Sequence, residues 1–393
     1  MSKLNNHISL SKDTINNDDI DQLIEWLKTY PKLTKGEKTI EFEKKWSEWI
    51  GCKYSVFVNS GSSANLLMFY ALKELYNLRN NKIAIPSLSW ATDLSPAMHL
   101  GFEPILVDCN LENLSVDLNH LEEIFIKENP SALVLVSVLG LAPEIQKVVD
   151  LCKKHDVILL EDNCESQGTS VDSVRLGNFG LMSSFSTYFG HTMSTIEGGM
   201  VCTNDKKVYD IIKQLRSHGW DRDLDSDAQR ELREKWGVDS FSALYTFYVP
   251  GFNLRSTDLQ AVIGIGQLEK VDYMIQKRNE NFKKFASMLS SHVWFPKETE
   301  NSFTASFCIP IIAKDTNQKS VIVKNLIENN IECRPLICGS MGTQPFYIKK
   351  YGRKELANSS VIDSCGLYVP NHPNLTQEEI EKICNCIINS INS

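Results

Sequence analysis

The sequence predicts an α/β protein: a mostly parallel sheet covered by helices, followed by a smaller C-terminal α/β domain. Two observations carry this expectation. Short apolar, β-rich runs recur at residues 54–58, 82–86, 104–108, 132–137 and 157–162. Their near-continuous hydrophobicity suits strands buried on both faces. Between them lie stretches with helical spacing, such as 117–128 and 144–155, which supply the crossovers that parallel pairing needs.

Taken in order, Ile20, Leu23, Ile24 and Leu27 make 18–30 an amphipathic helix. Phe42, Trp46, Trp49 and Ile50 do the same for 40–50, and Tyr30-Pro31 and Gly36 mark a loop between the two. After the strand at 54–58, Asn59-Ser-Gly-Ser-Ser-Ala64 turns into a helix running through Leu75. Beyond the fifth strand, short strands follow at 183–186 and 200–203. Residues 221–236 are dense in charge and read as a solvated helix or an insertion. From Gln260 a long helix runs through Leu268, Val271, Ile275 and Phe282 to Leu289. A strand at 307–312 and helices at 319–329 and 377–389 complete the smaller domain. The expected division is 1–275, a large domain with N-terminal helices, and 276–393, a small one.

The chain has 393 residues, 42% hydrophobic and 23% charged, which suits a globular protein of two domains. Its net charge of −8 argues against a nucleic-acid partner. No apolar run approaches the roughly 20 residues of a membrane span, so no membrane partner is expected. No signal-peptide pattern is seen. Eleven scattered cysteines, an odd number, read as reduced thiols of a cytoplasmic protein. The one close pair, Cys384-Asn-Cys386, sits in an amphipathic run and reads as helix packing; no metal is expected.

Several residues have the chemistry of a ligand site. Ser60-Gly61-Ser62-Ser63 joins a strand to a helix, where free N–H groups suit a phosphate, although the same residues also make an ordinary helix cap. Asp162 ends an apolar strand, where ligands gather in open α/β sheets. Glu165 follows three residues on, and Trp90 offers a flat face for stacking. His191 lies in Ser183-Ser-Phe-Ser-Thr-Tyr-Phe-Gly-His-Thr-Met-Ser-Thr-Ile-Glu-Gly-Gly-Met-Val201, between glycines that suit a tight backbone near a ligand. A structural histidine is the plain alternative.

Together these segments resemble the sugar aminotransferases and dehydratases of the fold-type I pyridoxal-phosphate architecture. The likeness runs from about Lys35 into the C-terminal domain. It implies that residues 1–275 bind pyridoxal 5′-phosphate or pyridoxamine 5′-phosphate. Gly61, Ser62 and Ser186 would contact phosphate, Trp90 would stack on the ring, and Asp162 would pair with its nitrogen. Gly251-Phe-Asn-Leu-Arg255 resembles the family segment in which Asn253 reaches the neighbouring subunit's phosphate, which implies a homodimer.

Two departures matter. His191 stands where the family's aminotransferases carry the Schiff-base lysine, and Glu165 stands where they often carry Gln or His. Both departures resemble the sugar 3-dehydratases, as does Ser217-His-Gly-Trp-Asp-Arg-Asp223. An imidazole forms no stable imine but moves protons near neutral pH. The cofactor would then be held non-covalently. The expected activity is loss of the C3 hydroxyl from a nucleotide-linked 4-keto-6-deoxyhexose, with L-glutamate as amino donor and His191 as acid and base. GDP-4-keto-6-deoxy-D-mannose is the sugar nucleotide that the resemblance implies, on the way to a dideoxy sugar such as colitose. His218, Arg255 and Arg334 are further candidates for the sugar nucleotide, since arginine offers a fork for diphosphate. A related branch carries an iron–sulfur cluster on a Cys-x-Cys with a further downstream cysteine, which is missing after Cys386, so no cluster is expected. The competing readings are a sugar-nucleotide aminotransferase and a catalytically silent binding protein.

Overall fold

A computed structural model describes residues 7–392. The first two helices among the described residues are α1 (Asn17–Leu27) and α2 (Glu37–Ile50). Asn16 and Asp19 cap α1 reciprocally. Helix α2 has only Gly36 at its N-cap, and a distant carboxylate does the capping. Asp258 accepts from the backbone N–H groups of Gly36, Lys38 and Thr39 at 2.7, 3.1 and 2.9 Å.

The large sheet then assembles from β1 (Tyr54–Val58), β2 (Lys82–Pro86), β3 (Glu103–Val107), β4 (Ala132–Val136), β5 (Ile158–Asp162), β8 (Met182–Ser186) and β9 (Gly199–Thr203). The two-residue strands β6 (Ser170–Val171) and β7 (Val174–Arg175) form a separate small sheet with β10 (Ser302–Phe303). The seven strands lie in the order β1-β9-β8-β5-β4-β2-β3. Pairings from β3 across to β8 are parallel, and β9 runs antiparallel to both neighbours. The sheet is therefore mostly parallel, as expected.

Helices cover both faces. On one face α5 (Leu118–Glu128) and α6 (Ile145–Lys154) join a core with Ala84, Leu133, Leu135 and Leu159. On the other lie α3 (Gly61–Leu75), α4 (Ala91–His99) and α7 (Lys206–Arg216), packed with Ile83, Val134, Leu160 and Val201. Leu133, Val134 and Leu135 thus alternate between cores, the period of two that a doubly covered strand requires. The charged stretch folds in part as α8 (Ser226–Trp236), with no buried residue.

Helix α9 (Asp258–Leu289) is 32 residues long and runs through the position expected to divide the two domains. Its first half packs with Phe42 and Trp46 of α2 against Phe57 and Phe185 of the large sheet. Beyond it, β11 (Cys308–Ile312), β12 (Arg334–Pro335) and β13 (Gly366–Pro370) form an antiparallel sheet with β13 central. Around that sheet lie α10 (Thr316–Glu328), α11 (Pro345–Tyr351), α12 (Ala357–Cys365) and α13 (Gln377–Asn392). Cys384 and Cys386 are buried in α13, and all eleven cysteines are free thiols. No helix among the described residues is long and apolar enough to cross a membrane.

Candidate active site

The carboxyl ends of β2, β4, β5 and β8, the start of α3, and Phe307, Ile337 and Tyr368 from in and beside the β11–β13 sheet enclose a cavity of about 420 Å³. Ligands bind at this edge of an open α/β sheet because loops diverge there and helix N-termini converge. Gly61, Ser62, Trp90, Asp162, Glu165, Ser186 and His191 all line it.

Each is positioned by its own element. Ser60 caps α3 by accepting from Ser63 N–H at 3.1 Å. That leaves the N–H groups of Gly61 and Ser62 in the first turn, where no intrahelical acceptor exists. A Cβ at Gly61 would lie 2.6 Å from Ser186 Cβ, so only glycine lets α3 start this close to the end of β8. Trp90 precedes α4, and its N–H donates to Asp93 at 2.9 Å; its side chain is 55% exposed, a free ring face at the cavity wall.

Asp162 is fixed from two sides. Asn65 Nδ2 donates to Oδ2 at 2.6 Å, and Cys164 N–H donates to Oδ1 at 2.8 Å. Asn65 also reaches Asp93 at 3.2 Å and accepts from Ser184 Oγ at 2.5 Å. Burial first, then the charge of Asp162, pushes the Asp93 carboxyl well above its ordinary range. Glu165 accepts from Leu139 N–H at 2.8 Å, and burial raises its carboxyl to about 7.

His191 sits between two aromatic edges. Its ring lies 6.0 Å from that of Tyr188 and 5.4 Å from that of Phe307, both near perpendicular. Nδ1 faces the carbonyl oxygen of Ser186 at 3.4 Å. Burial lowers its pKa to about 4, against a smaller opposing pull from the Ser186 carbonyl. The imidazole is thus neutral at neutral pH, the form that accepts a proton. The lysine-like segment turns tightly at Gly198-Gly199, where a Cβ on Gly199 would lie 2.3 Å from the Ser60 carbonyl oxygen.

The remaining expected residues lie outside this cavity. Asn253 is exposed, bridges Ser217, and accepts from Arg255 Nε at 3.0 Å. His218 has φ 61° and donates its N–H to Phe252 O at 2.6 Å. His218 and Arg255 flank Trp220 at 4.9 and 5.6 Å, a second cluster. Arg334 is exposed on β12 and pairs with Glu332. Asn65, Asp93 and Phe307 were not anticipated; their places follow from tertiary packing, and none stands in a recognisable local pattern.

Residues 13–388 match the model of the DegT/DnrJ/EryC1/StrS aminotransferase family. The chain belongs to that family. Among curated relatives, the GDP-4-keto-6-deoxy-D-mannose 3-dehydratase of Yersinia pseudotuberculosis is 33% identical, over 90% of this chain and 92% of that protein. A crystal structure of GDP-4-keto-6-deoxymannose-3-dehydratase, a His-to-Asn mutant with bound GDP-perosamine, has a TM-score of 0.88 and 30% identity. It covers 97% of this chain and 100% of its own. A structure of the same enzyme with a trapped adduct of pyridoxal phosphate and glutamate has a TM-score of 0.87 and 29% identity, covering 97% and 100%. The fold is therefore the fold-type I aminotransferase architecture.

The cavity has the donor set that pyridoxal phosphate needs. Free N–H groups at α3 and the Ser186 hydroxyl suit the phosphate, Asp162 suits a protonated ring nitrogen, and the Trp90 face suits the ring. Gly61 provides the space a Cβ would fill. No lysine lines the cavity among the described residues, so the group would be held without a covalent bond to the chain.

Proposed function

We propose that this chain is a 3-dehydratase acting on a nucleotide-linked 4-keto-6-deoxyhexose, with GDP-4-keto-6-deoxy-D-mannose as substrate and L-glutamate as amino donor. One observation supports the reading: His191, and no lysine among the described residues, lines the cavity together with Gly61, Ser62, Trp90, Asp162 and Ser186. The relatives with that named activity support the choice of substrate.

Bound pyridoxamine phosphate supplies an amine that condenses with the C4 ketone and a ring that accepts electrons. Gly61, Ser62 and Ser186 hold its phosphate. Asp162, locked by Asn65 and Cys164, keeps the ring nitrogen protonated. Trp90 fixes the ring plane. His191 takes the proton from the cofactor's C4′ atom and delivers a proton to the departing C3 hydroxyl, which leaves as water. Overall, glutamate becomes 2-oxoglutarate and ammonia, and its two electrons replace the C3 hydroxyl by hydrogen. His218, Arg255 and Arg334 are the proposed contacts to the sugar nucleotide. The proposed assembly is a homodimer in which Asn253 serves the partner's site, consistent with its exposure outside the cavity of its own chain. The same proposal places the enzyme in the cytoplasm and divides it at residues 275 and 276, with α9 shared by both domains.

Incubation with pyridoxal phosphate, glutamate and GDP-4-keto-6-deoxymannose tests the reading. Ammonia together with a product lighter by one oxygen is the expected result. An aminated sugar instead would make the chain an aminotransferase. Cofactor binding without any turnover on this or other sugar nucleotides would make it a silent relative.

A further inference from the structure

Arg278 is a buried cation that the chemistry above does not use. It sits on α9 at 2% exposure. Its guanidinium binds three main-chain carbonyls from three segments. Nη2 donates to His191 O at 3.0 Å, and Nη1 donates to Phe307 O at 2.7 Å and Asn371 O at 2.5 Å. No carboxylate contributes to its electrostatics, and Nε has no partner among the described residues. A buried charge without a counter-ion is costly, and burial lowers the Arg278 pKa to about 10. A side-chain amide has only two N–H donors and could not bind three carbonyls at once, so the guanidinium fork suits this clamp and brings its charge with it.

The role of the clamp lies in what the three carbonyls belong to. One is that of His191 itself. The second is that of Phe307, whose ring meets the His191 imidazole edge-on at 5.4 Å and whose N–H donates to Leu139 O at 2.8 Å. Leu139 N–H in turn holds Glu165. The third, Asn371, follows β13 of the small sheet, and its side chain donates to Ser306 O at 2.8 Å and to Arg278 O at 3.2 Å. One planar fork thus ties the histidine segment of the large sheet to both small-sheet strands that face it. We propose that Arg278 is a positioning residue for His191: by holding the His191, Phe307 and Asn371 carbonyls on one fork, it sets the imidazole against the cofactor space.

The charged and titratable groups around the imidazole fit this role. Asp162 on β5 pulls the ring toward protonation, and Arg278 on α9 pushes against it. Glu165 and Tyr368 share the cavity from the loop after β5 and from β13. Of these groups Arg278 is the lone cation, so removing its charge leaves burial alone to oppose the pull of Asp162.

The inference rests on the reading of His191 as the acid and base, and the test separates the two. Full-length protein labelled in its histidine rings is titrated by NMR, with His191→Asn to assign the signal. Wild type, Arg278→Met and Arg278→Lys are compared, and kcat and KM for dehydration are measured on the same samples. Arg278→Met is expected to move the His191 midpoint upward in pH. It should also lower kcat at least tenfold at little change in KM, with its acid limb displaced to higher pH. Arg278→Lys keeps the charge but not the three-carbonyl fork. Its midpoint should stay near wild type while kcat still falls, and this variant decides the matter if Arg278→Met does not fold. A wild-type kcat in Arg278→Lys, or an unmoved midpoint in a folded Arg278→Met, overturns the proposal. Absence of dehydration by the wild type would instead refute the assigned reaction, and the titration would still judge Arg278.

Discussion

At the scale of single residues, the site depends on two groups whose ordinary protonation is inverted. His191 is pushed down to about 4 and Glu165 up to about 7, both chiefly by burial, so at slightly acidic pH the carboxyl is neutral and the imidazole is neutral too. His191→Ala is expected to lower turnover by roughly 10²–10⁴-fold while the far-ultraviolet circular dichroism and melting temperature stay near wild type. His191→Lys should trade dehydration for covalent capture of the cofactor, visible as a shifted absorption band; an unchanged spectrum with full activity would contradict it. Glu165 lines the cavity and changes charge near pH 7, so the wild-type pH–rate profile should carry a limb near that value. Glu165→Gln, which cannot titrate, should flatten that limb, as a pH–rate profile would record. His191 was legible in the sequence because it interrupts a recognisable segment, and Asp162 because it ends an apolar strand. Asp93 and Arg278 were not. Asn65 meets Asp93 across 28 residues, and Arg278 meets His191 across 87, distances over which a single sequence carries no signal.

At the scale of elements, the close approach of α3 to β8 and β9 builds the phosphate end of the cavity. A Cβ at Gly199 would lie 2.3 Å from Ser60 O and 2.6 Å from Gly61 N, both backbone atoms that cannot step aside. Gly199→Ala should therefore push the start of α3 away, weaken cofactor binding at least tenfold, and destabilise the fold by about 2–4 kcal/mol. Equilibrium dialysis with pyridoxal phosphate and urea unfolding would measure the two effects. The strands of the large sheet were readable from apolar runs, but several other elements were not. Helix α4 holds Pro96 and begins at a tryptophan with no polar cap, so it lacks the usual start signal. Helix α7 differs, because Val208, Ile211, Ile212 and Leu215 give it helical spacing in the sequence. Strand β13 is a five-residue run directly after α12, too short to separate from a helix end by periodicity. The capping of α2 by Asp258 joins residues 222 positions apart for Gly36 and could not be foreseen.

At the scale of the whole molecule, two buried histidines make folding sensitive to acid. The His372 ring is 1% exposed and burial lowers it to about 3, below even His191. Both folded-state values lie under the ordinary 6.5, so the unfolded chain binds more protons between them. Stability from these groups is intact above pH 6.5 and is lost as pH falls toward 4 and then 3. Glu165 has the opposite sign: its contribution is lost as pH rises from 4.5 to about 7. Melting temperature should fall as pH drops below about 6, and His372→Leu should reduce that slope; an unchanged slope would remove His372 as a cause. The proposed dimer makes its own prediction. His191→Ala and Asn253→Ala homodimers should each be inactive, and subunits exchanged between them should regain about a quarter of wild-type activity, because half the dimers would hold one intact site. No recovery after verified exchange would mean that each chain builds its site alone.

The placement of β9 between β1 and β8 bears on how the protein is made. Strand β1 lies at a sheet edge, and among the described residues β9 is the one strand it pairs with. On the ribosome, β1 emerges long before Gly199–Thr203 and must wait unpaired while the intervening strands and helices are synthesised. The apolar run Val56-Phe57-Val58 is then open to chaperones and to other nascent chains. A nascent chain stalled before β9 would thus retain an open β1 edge, whereas one released after it could close the large sheet before the small domain is complete.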